Sequence, residues 1–160
     1  MKAIIPTLML IIGLTMATQA MAQSAPEAQI SVQVNGSQLP LQGLEQYFSG
    51  AVRVEPLFQP QPQTRAGGAN VTFEPGSRTH WHSHPRGQTL IVTSGQGWVQ
   101  QWQGRRLVIE PGDVVHIPAN VKHWHGATAR TAMTHMAIQE SHQGSVVTWM
   151  EAVTDKQYQP

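Results

Sequence analysis

Short runs of β-branched and aromatic residues, separated by glycine and proline turns, dominate the middle of the 160-residue chain. From Ala69 to Ile138 these runs recur at near-regular spacing, and no convincing amphipathic helix interrupts them. Many short strands with turn residues between them are typical of a β-sandwich or a jelly-roll barrel. The sequence therefore predicts an all-β domain. Its turns are Pro75-Gly76, Pro85-Arg86-Gly87, Gly95-Gln96-Gly97 and Pro111-Gly112.

The two ends of the chain differ in character from this middle, although the length suits one ordinary domain. Residues 1–22 combine a positive start at Lys2, an apolar run and the small-residue site Ala20-Met21-Ala22. This pattern predicts a signal peptide and export to the periplasm or the medium, with no membrane contact after cleavage. We expect residues 23–65 to form an approach segment with one β-strand, residues 66–140 the barrel, and residues 141–160 a C-terminal segment packed on it.

Composition excludes several kinds of site and partner. The chain has no cysteine, so disulfides, thiolate metal sites and cysteine nucleophiles are excluded. Its formal charge is +1 and its ten lysines and arginines are scattered, so it lacks the basic stripe that binding of nucleic acid requires. We therefore expect a small-molecule partner and no nucleic acid.

Histidine is the most informative residue type, because seven of the eight histidines fall between residues 80 and 135. Side chains two positions apart in a strand share a face, so His82 and His84 are predicted to point into the same space, about 7 Å apart along the chain. The turn that follows brings Gln88 back toward them. His123 and His125 repeat the alternation and supply candidates for a further ligand. The pattern indicates a site for one divalent metal ion.

Two clusters of fixed residue types surround these histidines. The first comprises Gly76, His82, Ser83, His84, Gln88 and Gly95, and the second comprises Gly112, Pro118, Val121 and His123. The clusters resemble the two motifs of the cupin superfamily, with glutamine where most cupins have glutamate and Asn120 where glycine is usual. The resemblance implies the cupin jelly-roll barrel, or double-stranded β-helix, in a single domain. Carried over position by position, it also implies that the metal ligands are His82, His84, Gln88 and His123.

Further blocks extend the resemblance over most of the mature chain. They are residues 73–76 (FEPG), 81–85 (WHSHP), 87–93 (GQTLIVT), 122–127 (KHWHGA) and 133–135 (MTH), with the ending at residues 149–155. In these blocks the chain is similar to the bacterial cupin hydroxynitrile lyases, which are manganese-dependent and reversibly cleave α-hydroxynitriles into an aldehyde and hydrogen cyanide. The resemblance implies Mn(II) as the cofactor, His125 and His135 as pocket histidines, and a homodimer or homotetramer.

The chemistry of such a site can be argued from the residues themselves. Three neutral imidazoles and one amide oxygen leave the +2 charge of the ion uncompensated, which makes it a strong Lewis acid with open positions. Cleavage of a hydroxynitrile also needs a base for the hydroxyl proton and an acid for the departing cyanide. His125 and His135 fall at strand positions whose side chains point to the interior, as that of His123 does. We expect His135 to carry the proton.

The alternation of side chains between the two faces of each strand also predicts which residues surround the site. Ala69, Val71, Ala137 and Gln139 fall on the interior face, where they would line a substrate pocket; ordinary core filling is an equal alternative for Val71 and Ala137. Trp81 and Trp124 alternate with the predicted ligands and should face outward. We expect a partner subunit or the second sheet to cover them.

Two other functions remain open at this level. An Fe(II)-dependent cupin dioxygenase would use a similar histidine site and would require oxygen. A non-catalytic cupin would bind a small molecule without turnover, although the full set of ligands argues against it. The donor set also accepts Fe(II), Ni(II), Co(II) or Zn(II) in place of Mn(II).

Overall fold

The computed structural model describes residues 29–61 and 63–159. The predicted signal peptide, residues 1–22, lies outside this range. Two compact units divide the chain between Ser31 and Val32, and the first is represented only by residues 29–31, which are exposed and have no regular structure. In the part of the chain that is described, no helix is long and apolar enough to span a membrane. The fold below is that of the second unit.

The second unit is built almost entirely from short strands. Thirteen strands precede one short helix among its described residues. They are β1 (Leu41–Gln42), β2 (Phe48–Ser49), β3 (Val52–Phe58), β4 (Ala66–Phe73), β5 (Arg78–Thr79), β6 (His82–Ser83), β7 (Gln88–Gly95), β8 (Gly97–Gln101), β9 (Arg106–Ile109), β10 (Val114–Ile117), β11 (His123–Ala127), β12 (Met133–Glu140), β13 (Thr148–Trp149) and α1 (Asp155–Tyr158).

The strands form two antiparallel sheets. The six-stranded sheet has the order β1-β3-β4-β12-β7-β10, and the seven-stranded sheet has the order β13-β6-β11-β5-β2, with β8 pairing with both β11 and β9. In both sheets strands that are far apart in the sequence lie side by side, such as β4 with β12 and β5 with β11, as in a jelly roll. This arrangement confirms the all-β jelly-roll prediction.

The main core lies between the two sheets and follows the period-2 alternation of the strands. In β12, Met133, His135 and Ala137 are buried while the residues between them are partly exposed. Ala137 pairs with Ala69 on β4 and with Leu90 on β7, so β12 holds the centre of the six-stranded sheet. The buried apolar residues of this core are Val52, Val71, Phe73, Leu90, Val92, Val99, Ile109, Ile117, Ala127, Met133 and Ala137.

A second apolar cluster lies on the outer side of the seven-stranded sheet. Trp81 and Trp124 face outward as predicted, but both are buried by Val153 and Tyr158 of the same chain. The Tyr158 hydroxyl donates a hydrogen bond to the Ala127 carbonyl at 2.9 Å, which fixes the C-terminal segment on the sheet. The expectation that a partner subunit or the second sheet covers these tryptophans is therefore wrong.

The short helix α1 is stabilised at its N-terminus by a capping box. The Thr154 side chain accepts from the Gln157 N–H, and the Gln157 side chain accepts from the Thr154 N–H. Asp155 in the first turn also pairs with buried Arg78 at 2.7 Å. The sequence Thr-x-x-Gln carries the capping signal, which was missed because the helix has only four residues.

Val153 offers a test of how much the C-terminal cover contributes to stability. Val153→Ala removes two buried methyl groups beside Trp81 and Trp124 and should lower the free energy of unfolding by about 2 kcal/mol. Val32→Ala is the matched control, because Val32 is 82% exposed and surface changes shift stability by only about 0.5 kcal/mol. Urea denaturation of both variants checks this, and equal effects would contradict the packing role of Val153.

Candidate metal centre

The histidines of the centre come from strands of both sheets. His82 opens β6, His123 and His125 lie on β11, and His135 lies on β12. His82 and His123 are paired across the β6–β11 ladder, which brings their side chains together on the inner face. The strand alternation that the sequence predicted therefore places these four histidines between the sheets, where all are buried.

The structure gathers the four predicted ligands in one place. The His82 ring centroid lies 4.2 Å from that of His123 and 5.1 Å from that of His84. The Gln88 Oε1 atom lies 3.4 Å from His123 Nε2. Among the described histidines and acidic residues, three have potential metal-binding atoms within 4.8 Å of one another: His82, His123 and His125. Two of them are predicted ligands, and the third is His125. These residues form a candidate metal site in which His125 is a further potential ligand.

Hydrogen bonds to backbone carbonyls fix the tautomers of the three predicted imidazole ligands. The Nδ1 atoms of His82 and His123 lie 2.9 and 2.8 Å from the carbonyl oxygens of His80 and Val121, each two residues earlier. The Nδ1 atom of His84 lies 2.6 Å from the carbonyl oxygen of Val146. A carbonyl oxygen can only accept, so each Nδ1 carries the proton and each Nε2 keeps a free lone pair.

These lone pairs fit a metal ion. The Nε2 atom of His84 is buried and has no hydrogen-bond partner, an arrangement that is costly unless another group binds there. The Gln88 amide donates through Nε2 to Gln139 Oε1 at 3.3 Å, which directs Gln88 Oε1 toward the histidines. Nitrogen and oxygen donors oriented in this way by outer partners are the usual surroundings of a divalent ion.

His125 and His135 form a second pair, deeper in the barrel. His125 Nδ1 lies 3.2 Å from His135 Nε2, so one nitrogen donates its proton to the other. The remaining nitrogens, His125 Nε2 and His135 Nδ1, are buried without partners. Phe73 packs against both rings, with centroid distances of 5.8 and 5.6 Å. The contact that joins this pair runs between two ring nitrogens, so the pair differs from the three carbonyl-bound histidines.

Burial keeps all of these imidazoles neutral. Desolvation lowers the pKa of His123 and of His135 to about 4. The pKa values of His82 and His125 lie well below the usual range, first because of burial and then because neighbouring histidines repel a positive charge. Burial also lowers the pKa of His84. The rings are therefore available near neutral pH as metal ligands and as bases.

A cavity of about 160 Å³ opens beside the histidines. Its lining is largely apolar and includes all four residues predicted for the substrate pocket, Ala69, Val71, Ala137 and Gln139. A larger groove on the outer surface, near Leu41, contains none of the histidines. Lining residues that sequence reasoning missed are Phe48, Val54, Phe73, Thr79, Val146, Val147 and Trp149.

The missed residues carry only weak sequence signals. Phe48 belongs to the approach segment of residues 23–65. Phe73 lies two residues after Val71 on β4, so both side chains point to the interior. Val146, Val147 and Trp149 belong to the C-terminal segment, whose position depends on long-range pairing of Trp149 with His82. No local pattern identifies such a contact.

Comparisons with known proteins agree with the fold and the site. A family model described as a cupin domain matches residues 69–138, a stretch that contains every histidine discussed above. Over 123 residues the chain is 56% identical to a protein named (R)-mandelonitrile lyase from Granulicella tundricola, and the alignment covers 77% of this chain and 94% of that protein.

Two solved structures illustrate the likeness of fold. A cupin-like protein from Thermotoga maritima is 40% identical, with a TM-score of 0.70 over 73% of this chain and 89% of that one. A predicted oxalate decarboxylase from the same organism is 18% identical, with a TM-score of 0.61 over 75% of this chain and 100% of that one. At 18% identity the likeness shows the fold alone.

Stability of the metal-free protein should fall as the pH decreases from about 6.5 toward 4. Histidines in an unfolded chain take up protons near pH 6.5, whereas burial holds the pKa of His135 at about 4. Between these values the unfolded state binds more protons, so stability rises with pH by up to roughly 1.4 kcal/mol per pH unit for each such histidine. Denaturation at about pH 7 and pH 5 measures the slope. His135→Gln should reduce it, and equal stability at both pH values would contradict the prediction.

Proposed function

Because the chain belongs to the cupin superfamily, we propose that it is a metal-dependent lyase that reversibly cleaves an α-hydroxynitrile into an aldehyde and hydrogen cyanide. The observation that carries the proposal is a cluster of three buried imidazoles with free Nε2 lone pairs beside a second buried histidine pair. The 56% identity to a protein named (R)-mandelonitrile lyase supports the choice of reaction. An aromatic α-hydroxynitrile is thus the first substrate to examine.

We assign the metal ligands to His82, His84, Gln88 and His123. The three histidines present Nε2 because a carbonyl oxygen accepts from each Nδ1, and Gln88 presents Oε1 because its amide nitrogen donates to Gln139. A bound divalent ion would supply Lewis acidity, polarising the substrate oxygen and lowering the pKa of its hydroxyl. We propose Mn(II), supported by the resemblance to the manganese-dependent lyases, although the donors also suit other divalent metals.

We assign proton transfer to the pair of His125 and His135. In the cleavage direction, the hydroxyl proton passes to the unpartnered Nδ1 of His135, and the oxygen electron pair forms the carbonyl bond. The carbon–cyanide bond then breaks with its electrons on cyanide, which takes the proton from the pair and leaves as hydrogen cyanide. Burial favours the neutral rings, so the protonated pair gives up its proton readily. His125 supports His135 through the contact between Nδ1 and Nε2.

The cavity provides a place for the organic part of the substrate. Ala69, Val71 and Ala137 present small side chains on the six-stranded side, which leaves room for an aryl or alkyl group. Gln139 is the polar residue on this side of the cavity, and its Oε1 atom accepts a hydrogen bond from Gln88. An apolar enclosure of this kind excludes water, which strengthens the electrostatic interactions around the reacting atoms.

Export and assembly are proposals of a separate kind. The charge-then-apolar pattern of residues 1–22 supports a signal peptide and a periplasmic or secreted location. We also propose a homodimer or homotetramer, in keeping with the resemblance to the lyases. Exposed apolar side chains on β9 and β10 support a contact between subunits: Leu107, Val108 and Val114.

The function is tested by anaerobic cleavage of mandelonitrile by the metal-loaded protein. We expect release of benzaldehyde, and His135→Ala should lower the rate by about 100-fold or more because proton transfer contributes that much. Its metal content, measured by elemental analysis, should stay at the wild-type level. His116→Ala is the control, since His116 is an exposed histidine on β10.

Either of two results would contradict the lyase. One is no release of benzaldehyde by a fully metal-loaded wild type. The other is activity that requires oxygen and Fe(II), which would indicate the dioxygenase. Tight binding of mandelonitrile without turnover would indicate a binding protein instead.

A further inference from the structure

We propose that the C-terminal strap, Val146 to Trp149, is a positioning element of the metal site that orients His84 through a backbone carbonyl and His82 through an indole ring. The proposal rests on the ligand assignment of the proposed function. It adds Trp149 as a positioning residue, because this side chain holds a ligand without itself offering a donor to the ion.

The three carbonyl-bound histidines differ in where their partners come from. His82 and His123 donate hydrogen bonds to carbonyls two residues earlier, so the chain just before each strand orients them. His84 has no such local partner: its Nδ1 donates to the carbonyl oxygen of Val146, which lies 62 residues further along the chain. The orientation of His84 Nε2 therefore depends on the docking of the strap.

Trp149 acts on a second ligand by direct ring contact. Strand β13 pairs Trp149 with His82 across the ladder to β6. The indole packs against the His82 ring at a centroid distance of 4.8 Å and an angle of 37°. Tyr47 stacks on the indole at 4.7 Å and 20°, and Phe48 meets it edge-on at 5.6 Å. The indole is thus held by two aromatic rings while it limits rotation of the imidazole.

Backbone hydrogen bonds hold the chain on both sides of the strap. They keep Val146 and Trp149 at fixed positions beside His84 and His82. Downstream, the Met150 N–H donates to the Trp81 carbonyl at 2.9 Å, and the Trp81 N–H donates to the Glu151 carbonyl at 3.0 Å. Upstream, the Ser141 N–H donates to the Arg65 carbonyl at 2.9 Å, next to β4, and His142 and Ser145 close the turn that leads into the strap with two backbone hydrogen bonds. These bonds hold Val146 and Trp149 against the barrel on the side of the cavity, which both residues line.

Loss of an outer partner of a metal ligand typically weakens metal affinity by about 10-fold to 100-fold. Trp149→Ala frees the His82 ring and loosens the strap that carries the Val146 carbonyl, so we expect a loss of affinity in this range. Trp149→Phe keeps a flat ring at the same place and should recover most of the affinity. A general loss of structure would not distinguish the two variants in this way.

The test compares Trp149→Ala and Trp149→Phe with Trp102→Ala in the otherwise complete mature protein. Trp102 is a partly exposed tryptophan that packs on Trp81 and Lys122 and does not line the cavity. The measurements are the dissociation constant of Co(II), by competition with a chromophoric chelator, and the visible absorption of bound Co(II), which reports its ligand geometry. Thermal unfolding of each metal-free variant shows that it is folded.

We expect Trp149→Ala alone to weaken Co(II) binding and to change the absorption spectrum. Wild-type affinity and spectrum in Trp149→Ala would overturn the proposal, as would an equal loss in Trp102→Ala. The lyase assay does not enter this comparison. A wild type that binds Co(II) but releases no benzaldehyde would therefore reject the proposed function while leaving the role of the strap to be decided by the affinities.

Discussion

Hydrogen bonds from histidine Nδ1 atoms to backbone carbonyls are the constraint on which the site depends. They place the proton of His82, His84 and His123 on the outer nitrogen and leave a lone pair on the inner one. Without them each ring could present an N–H toward the cavity, which repels a cation. The barrel thus prepares three donors of one kind in one place, and the cost of burying the partnerless His84 Nε2 is offset when a metal ion binds.

The site contains two kinds of histidine, which differ in whether the tautomer of the ring is fixed. The carbonyl-bound rings have a fixed tautomer, whereas His125 and His135 share a proton between two nitrogens of similar character. A fixed tautomer suits a ligand, and an exchangeable proton suits an acid–base group. The partner of each histidine therefore indicates its role. A ring that donates to a carbonyl oxygen suits metal binding, and a ring that contacts another histidine suits proton transfer.

Strand periodicity alone predicted much of this arrangement. The alternation at His82 and His84, at His123 and His125, and along β12 placed these side chains on one inner face, because a strand has a period of two. The position of Trp149 could not be predicted, since it depends on pairing between segments far apart in sequence. The cover on Trp81 and Trp124 could not be predicted either, because a four-residue helix and Val153 leave almost no periodic signal.

The distance along the chain between His84 and Val146 also sets an order of events during synthesis. The imidazole is made 62 residues before the carbonyl that orients it, and Trp149 follows shortly after that carbonyl. A nascent chain that has just completed both sequence motifs still has His84 without its partner. His84 acquires its fixed orientation only after the chain has been made through Trp149 and this segment has folded back onto the barrel, so a finished metal site forms after synthesis of the strap and not before it.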